Sequence, residues 1–127
     1  MKVVFSFQQI VLKMIVALII YLGLDSIYLR IGKGYVYPES FVKDADLRYG
    51  AIAWLALAFG LSAAQFTSAK DAFLYGSLIG FVAYAVFNGT ETSINKEYRS
   101  NRWYLDILYG TLTSGLIGLI LFYIFSS

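Results

Sequence analysis

Hydrophobic positions in this chain fall into four long runs separated by short polar stretches. From Ile10 to about Arg30 the run is broken only by Lys13 and Asp25; Tyr49 to Ala69 holds 21 residues without a charge, Ala72 to Thr90 holds 19, and Ile107 to Ser127 holds 21. Each is close to the roughly 20 residues that a helix needs to cross about 30 Å of hydrocarbon. The pattern predicts an all-α polytopic membrane protein, a single domain over residues 1–127 with four transmembrane helices at about 8–30, 48–67, 71–91 and 103–126 in a compact bundle. The first run also admits a signal-peptide reading, with Lys2 and Lys13 as basic flank and MIVALIIYLGL as its core, but no small-x-small cleavage site follows it.

The connections differ in kind. Residues 31–48 carry the only proline, Pro38, with Gly32, Gly34 and several charges, and read as an ordered polar loop or an interfacial segment. Thr67 to Asp71 makes a tight hairpin, and residues 92–102 are polar, with Asn101 or Ser100 placed to cap the last helix. Seven basic residues (Arg30, Lys33, Lys43, Arg48, Lys96, Arg99 and Arg102) lie in or beside the first and third connections; Lys2 and Lys70 lie on the other side, and Lys13, read as a snorkelling anchor, points towards it. The positive-inside rule then makes the first and third connections cytoplasmic and both termini non-cytoplasmic, as expected of an integral protein of a cell or inner membrane.

Composition sharpens the class. Of 127 residues 59% are hydrophobic and 14% charged, where a soluble domain carries nearer a quarter charged. The net charge of +2 is small and scattered, which sets nucleic acid aside as a partner and leaves the lipid bilayer. There is no cysteine and no histidine, so disulfides, thiolate nucleophiles, imidazole bases and the usual zinc and haem ligand sets are excluded; no cofactor or metal site is expected.

Against that apolar background three acids stand out: Asp25, Glu91 and Asp106. A carboxylate at a helix centre costs about 2.5–3.5 kcal/mol on insertion scales, so acids in or at the rim of a span are candidates for function. The topology brings all three towards one leaflet. Helical spacing aligns Tyr21, Asp25 and Tyr28 on one face, Tyr84, Asn88 and Glu91 on a second, and Arg102, Asp106, Tyr109 and Thr113 on a third. With Thr90, these residues form a candidate cytoplasm-facing acidic pocket, with Arg30 and Arg102 as counter-charges. A plainer reading stands beside it: Arg102 and Asp106 as a helix-start pair favoured by the dipole, and Glu91 in water past a helix end. Asp25 resists that reading, because five residues separate it from Arg30, a depth of about 7 Å at 1.5 Å per residue.

Small residues recur every fourth position: Ala56, Gly60 and Ala64; Gly76 and Gly80; Gly110, Ser114 and Gly118. This spacing lets backbones approach, within a bundle first and between copies in a homo-oligomer second. Tyr35, Tyr37, Tyr49, Tyr98, Trp103 and Tyr104 read as an interfacial aromatic belt. Asn88-Gly89-Thr90 fits a glycosylation sequon, but at an inner helix end that match is chance.

At these residues the chain resembles the uncharacterised four-helix membrane family known as domain of unknown function 2177. Its Asp-x-x-Trp-Leu near the end of helix one is similar to Asp25-Ser26-Ile27-Tyr28-Leu29; its Gly-x-x-x-Tyr-x-x-Tyr-Asp-x-Thr-Asn to the stretch from Gly80 to Glu91; its Val-Asp-x-x-Trp-Gly-Thr to Leu105-Asp106-Ile107-Leu108-Tyr109-Gly110-Thr111. The motifs occur in the same order over nearly the whole chain. Tyrosines stand for both tryptophans, and the helix-three acid and amide are exchanged, Asn88 for Asp and Glu91 for Asn. The resemblance implies a fold and a set of special polar positions, and no activity.

Two function classes follow from the residues. The first is binding or transport of a cation, proton or small polar solute by Asp25, Glu91 and Asp106. The second is a membrane-embedded lipid-modifying enzyme with a carboxylate as general acid or base, which the lack of histidine and cysteine sets behind the first. A non-catalytic assembly or scaffold subunit, its polar cluster only holding helices together, is the plain alternative.

Overall fold

The computed structural model describes residues 2–3, 6–38 and 47–125. Among the described residues five helices run in chain order: α1 (Phe7–Gly32), α2 (Leu47–Ser62), α3 (Ala69–Ile94), the single turn α4 (Lys96–Arg99) and α5 (Trp103–Phe125). Among the described residues the only strands are β1 (Lys2–Val3) and β2 (Ala64–Gln65), paired antiparallel with Lys2 opposite Gln65 and Val3 opposite Ala64. Helices α1, α3 and α5, of 26, 26 and 23 residues, are long and apolar enough to cross a membrane. Helix α2 has 16 residues, which at 1.5 Å each is about 24 Å.

The second helix was expected over 48–67 and stops at Ser62. Beyond it, the backbone of Ala64 and Gln65 bonds across to β1 instead of continuing the helical ladder, and the Ala64 carbonyl also accepts from Lys13 Nζ at 3.4 Å. Lys13 is therefore buried within the protein, where a snorkelling anchor was expected. After Phe66, which packs with Ala64, Ala72, Tyr75 and Phe122, Ser68 caps α3 by accepting the Asp71 amide at 3.2 Å.

At the opposite end the first connection is tied down as far as Pro38; residues 39–46 of that loop, Ser40 and Lys43 included, lie outside the described residues. The Gly32 carbonyl accepts the amides of Tyr35 and Val36 at 2.9 and 2.8 Å, and Gly34, at φ +77°, takes the left-handed conformation that this turn requires and only glycine adopts cheaply. Asn95 closes α3 through its amide to Glu91 O (2.9 Å) and opens α4 by accepting from the amides of Glu97 and Tyr98. The expected cap of the last helix differs. Ser100 Oγ turns back to Glu97 O and Asn101 Nδ2 reaches Gly34 O, so both side chains stitch the first and third connections and α4 together in place of capping α5. Arg102 N, bonded to Tyr35 O at 3.3 Å, adds to that stitching.

Packing follows the small residues. Along α3 and α5, a Cβ on Gly80 would meet Ser114 Cβ at 2.7 Å, and one on Gly118 would meet the Ala72 carbonyl at 2.7 Å. Without water-driven burial between spans, such close backbone approach supplies the dispersion energy that holds helices together. The stripe of α3 and α5 glycines is thus used within the chain. Helix α1 packs on α2 and α5 through a cluster of Ala17, Tyr21, Ala58, Leu61, Ile117 and Leu121. Helix α2 meets α3 around Gly60, where Tyr75 OH donates to the Gly60 carbonyl at 3.2 Å and a Cβ on Gly60 would meet Ile79 at 3.7 Å.

Candidate functional site

Asp25 and Asp106 lie at the same end of the molecule, on the antiparallel helices α1 and α5, each followed three residues later by a tyrosine. The two tyrosines are exchanged. Tyr28 on α1 donates to Asp106 Oδ1 at 2.7 Å, while Tyr109 on α5 donates to Asp25 Oδ1 at 2.6 Å. Between the two bonds the phenol rings stack, with centroids 3.6 Å apart and planes within 3°. Helical spacing explains the exchange: i and i+3 share a face, so both Asp-Tyr pairs point into the α1–α5 seam, and antiparallel packing sets each tyrosine opposite the other helix's acid.

Each remaining carboxylate oxygen reaches a further helix. Trp54 Nε1 on α2 donates to Asp25 Oδ2 at 2.7 Å; Asn88 Nδ2 on α3 donates to Asp106 Oδ2 at 2.6 Å and to its own helix's Tyr84 carbonyl at 2.8 Å. Asn88 is fully buried, its Oδ1 accepting from Tyr98 OH of α4. An amide buried and bonded in this way is no glycosylation acceptor. Two acids thus tie together α1, α2, α3, α4 and α5. The carboxylates are 7% and 4% exposed, and the four described bonds to them come from neutral donors.

The other expected residues fall into three groups. Tyr84 stands at the site with its ring over Gly110 and edge-on to Tyr109 at 6.3 Å. Tyr21 is fully buried one turn below Asp25 and shares a 2.6 Å hydrogen bond with Ser114, so it locks α1 to α5 beneath the acids. Thr90, Glu91 and Arg102 are not brought together with the acids. Thr90 is exposed, its hydroxyl spent on Val86 O. Glu91 is half-buried a turn beyond Asn88, and Arg102 is exposed with its guanidinium 4.2 Å over the Tyr35 ring; Arg30 is also exposed. The arginines therefore sit at the rim, where counter-charges inside the pocket were expected.

Trp54 was not among the expected site residues, and Tyr98 and Ser114 were expected only in the aromatic belt and the small-residue stripe. A lone tryptophan in a charge-free run carries an N–H that must find an acceptor, and that was the available signal for Trp54. Of the residues expected in an interfacial belt, Tyr37 and Tyr98 are buried together with Val36 against Tyr28, Leu29, Trp103 and Leu105, whereas Tyr35, Tyr49 and Tyr104 are exposed. Burial, then the charge of Asp106, pushes the phenols of both Tyr37 and Tyr98 above the ordinary tyrosine range.

Asp25, Asp106, Tyr28, Tyr37, Tyr84 and Tyr109 form one end of a cavity of about 720 Å³. Its other walls are apolar: Gly50, Ala53, Ala56, Leu57 and Gly60 from α2 beside Trp54, and Leu78, Ile79, Val82, Ala83 and Phe87 from α3. The helices approach each other at Gly60, and along the cavity Leu78, Val82 and Phe87 are 57%, 51% and 41% exposed, so among the described residues it opens sideways between α2 and α3. The polar groups are confined to one end of a mainly apolar space. No protein-family model, curated protein or solved structure matches the chain.

Proposed function

We propose that the chain is a four-helix membrane bundle, α2 serving as the fourth and shortest span, whose acidic pair receives a positively charged group at one end of a lateral cavity. The observation that carries this is the pairing of two carboxylates with neutral donors at the wall of that cavity. An ionised carboxylate offers about four acceptor positions, so each acid keeps capacity on its cavity side after its two bonds. Two like charges held by tyrosine, indole and amide dipoles attract a cation more than they satisfy each other. The excess of basic residues around the first and third connections supports a cytoplasmic location for this end, with both termini outside. The resemblance to domain of unknown function 2177 supports the same site, since its motifs fall on Asp25, Tyr28, Tyr84, Asn88, Asp106 and Tyr109.

A second reading has its own observation. All four carboxylate oxygens are hydrogen-bonded, and their donors come from α1, α2, α3 and α5, which is what a structural clasp requires. The two readings separate on Asp25→Asn and Asp106→Asn, which keep shape and most hydrogen bonds but remove charge. In a Trp103→Phe background, Trp54 is the sole tryptophan and touches Asp25 directly. Titrating butylamine into the protein in lipid nanodiscs should shift Trp54 emission saturably, and both Asn variants should stay folded and lose the response. An unresponsive parent protein, or Asn variants that respond unchanged, leaves the clasp as the role of the acids.

A further inference from the structure

We infer that the ligand is an amphiphile, a single hydrocarbon chain ending in an ammonium group, which enters from the bilayer between α2 and α3. The inference rests on the acidic pair as a cation site and adds the apolar arm. Three observations meet here. The cavity holds about 720 Å³, far more than a bare cation or small solute fills, within the range of sites that enclose sizeable ligands. Its walls away from the acids are aliphatic or small, Ala56, Leu57, Gly60 and Ile79 among them, and offer a polar solute little to bond. Its side is bounded by the exposed Leu78 and Val82, which a bilayer would bathe in acyl chains, so the opening faces hydrocarbon and not water.

Charge complementarity selects the head group. An anionic or phosphate head would meet Asp25 and Asp106 with like charge, and among the described residues of the first and third connections Arg30, Lys33, Arg48 and Arg102 are exposed. A primary ammonium has three donors and fits carboxylates whose remaining lone pairs face the cavity. The direction also suits a lipid-like molecule. The acids lie near the end of the spans and the apolar arm runs along α2 from Trp54 to Gly60, away from the α4 end, so the head sits near the interface and the tail lies deeper, as in the surrounding leaflet.

Three probes and one blocking variant test this in nanodiscs, read by Trp54 emission in the Trp103→Phe background. Dodecylamine should bind saturably, and Asp106→Asn should abolish its response. Ala56→Phe, which fills the apolar arm from an exposed position and leaves the acids untouched, should weaken dodecylamine by about tenfold or more while sparing butylamine. Ala56→Phe binding dodecylamine as the parent does would place the chain elsewhere and overturn the inference. Butylamine responding where dodecylamine does not would also overturn it, while leaving the cation site standing. Dodecanol responding as strongly as dodecylamine, and equally in Asp106→Asn, would overturn both, since the acids would then play no part.

Discussion

Tyr28→Phe removes one hydroxyl and keeps the ring, so it isolates the exchanged bond to Asp106 from the stack on Tyr109. The stack, worth about 0.5–1.5 kcal/mol beyond burial, survives in phenylalanine. A hydrogen bond to a charged acceptor contributes about 1.5–3 kcal/mol in soluble proteins, but interhelical bonds in membranes average about 0.6 and reach about 1.7, because the unfolded chain in lipid also finds partners. With a 2.7 Å bond to a buried carboxylate, we expect a value near the top of the membrane range, about 1–1.5 kcal/mol. The measurement is a double-mutant cycle of Tyr28→Phe with Asp106→Ala, unfolded by sodium dodecyl sulfate in mixed micelles. The coupling between these two should be about 1 kcal/mol, and Tyr109→Phe with Asp25→Ala should match it. Tyr28→Phe with Asp25→Ala, neighbours on one helix, should couple less than half as strongly, because they communicate only through the ring stack. If same-helix pairs couple more than the crossed pairs, each tyrosine serves its own helix's acid and the exchange described above is wrong.

A cysteine at Ser100, in a chain that has none of its own, should react with an impermeant maleimide only from the cytoplasmic side; labelling from outside would move the acidic end to the other leaflet. Tyr98 should make the fold alkali-sensitive. Its folded pKa is raised, so the stability it contributes is complete below its unfolded value of about 10 and is lost as pH climbs from there towards the folded value. The loss is at most about 1.4 kcal/mol per pH unit, so unfolding curves of the parent and Tyr98→Phe should converge above pH about 10, and curves that stay parallel would show that Tyr98 does not titrate on unfolding.

What was legible in the sequence was whatever depends on local pattern. Long apolar runs placed the three long helices to within three residues at each end, and the i, i+3 spacing of Asp25 with Tyr28 and Asp106 with Tyr109 put each pair on one face. Partnership was not legible, because it depends on which helix lies opposite. The same spacing is compatible with a tyrosine serving its own acid, an arginine on its own helix, or the acid across the seam, and only antiparallel packing of α1 on α5 selects the last. Glu91 shows the limit from the other side: its charge drew attention, but three further residues along a helix, though they keep a side chain on nearly the same face, raise it by about 4.5 Å. That displacement leaves the buried position to Asn88, whose amide can donate to Asp106 where a second carboxylate could only repel it. An amide in that place lets two acids, and not three, share one site in which the described donors are all neutral. Under the proposed function, the two acids at the cavity wall are what a ligand bringing its own positive charge would meet.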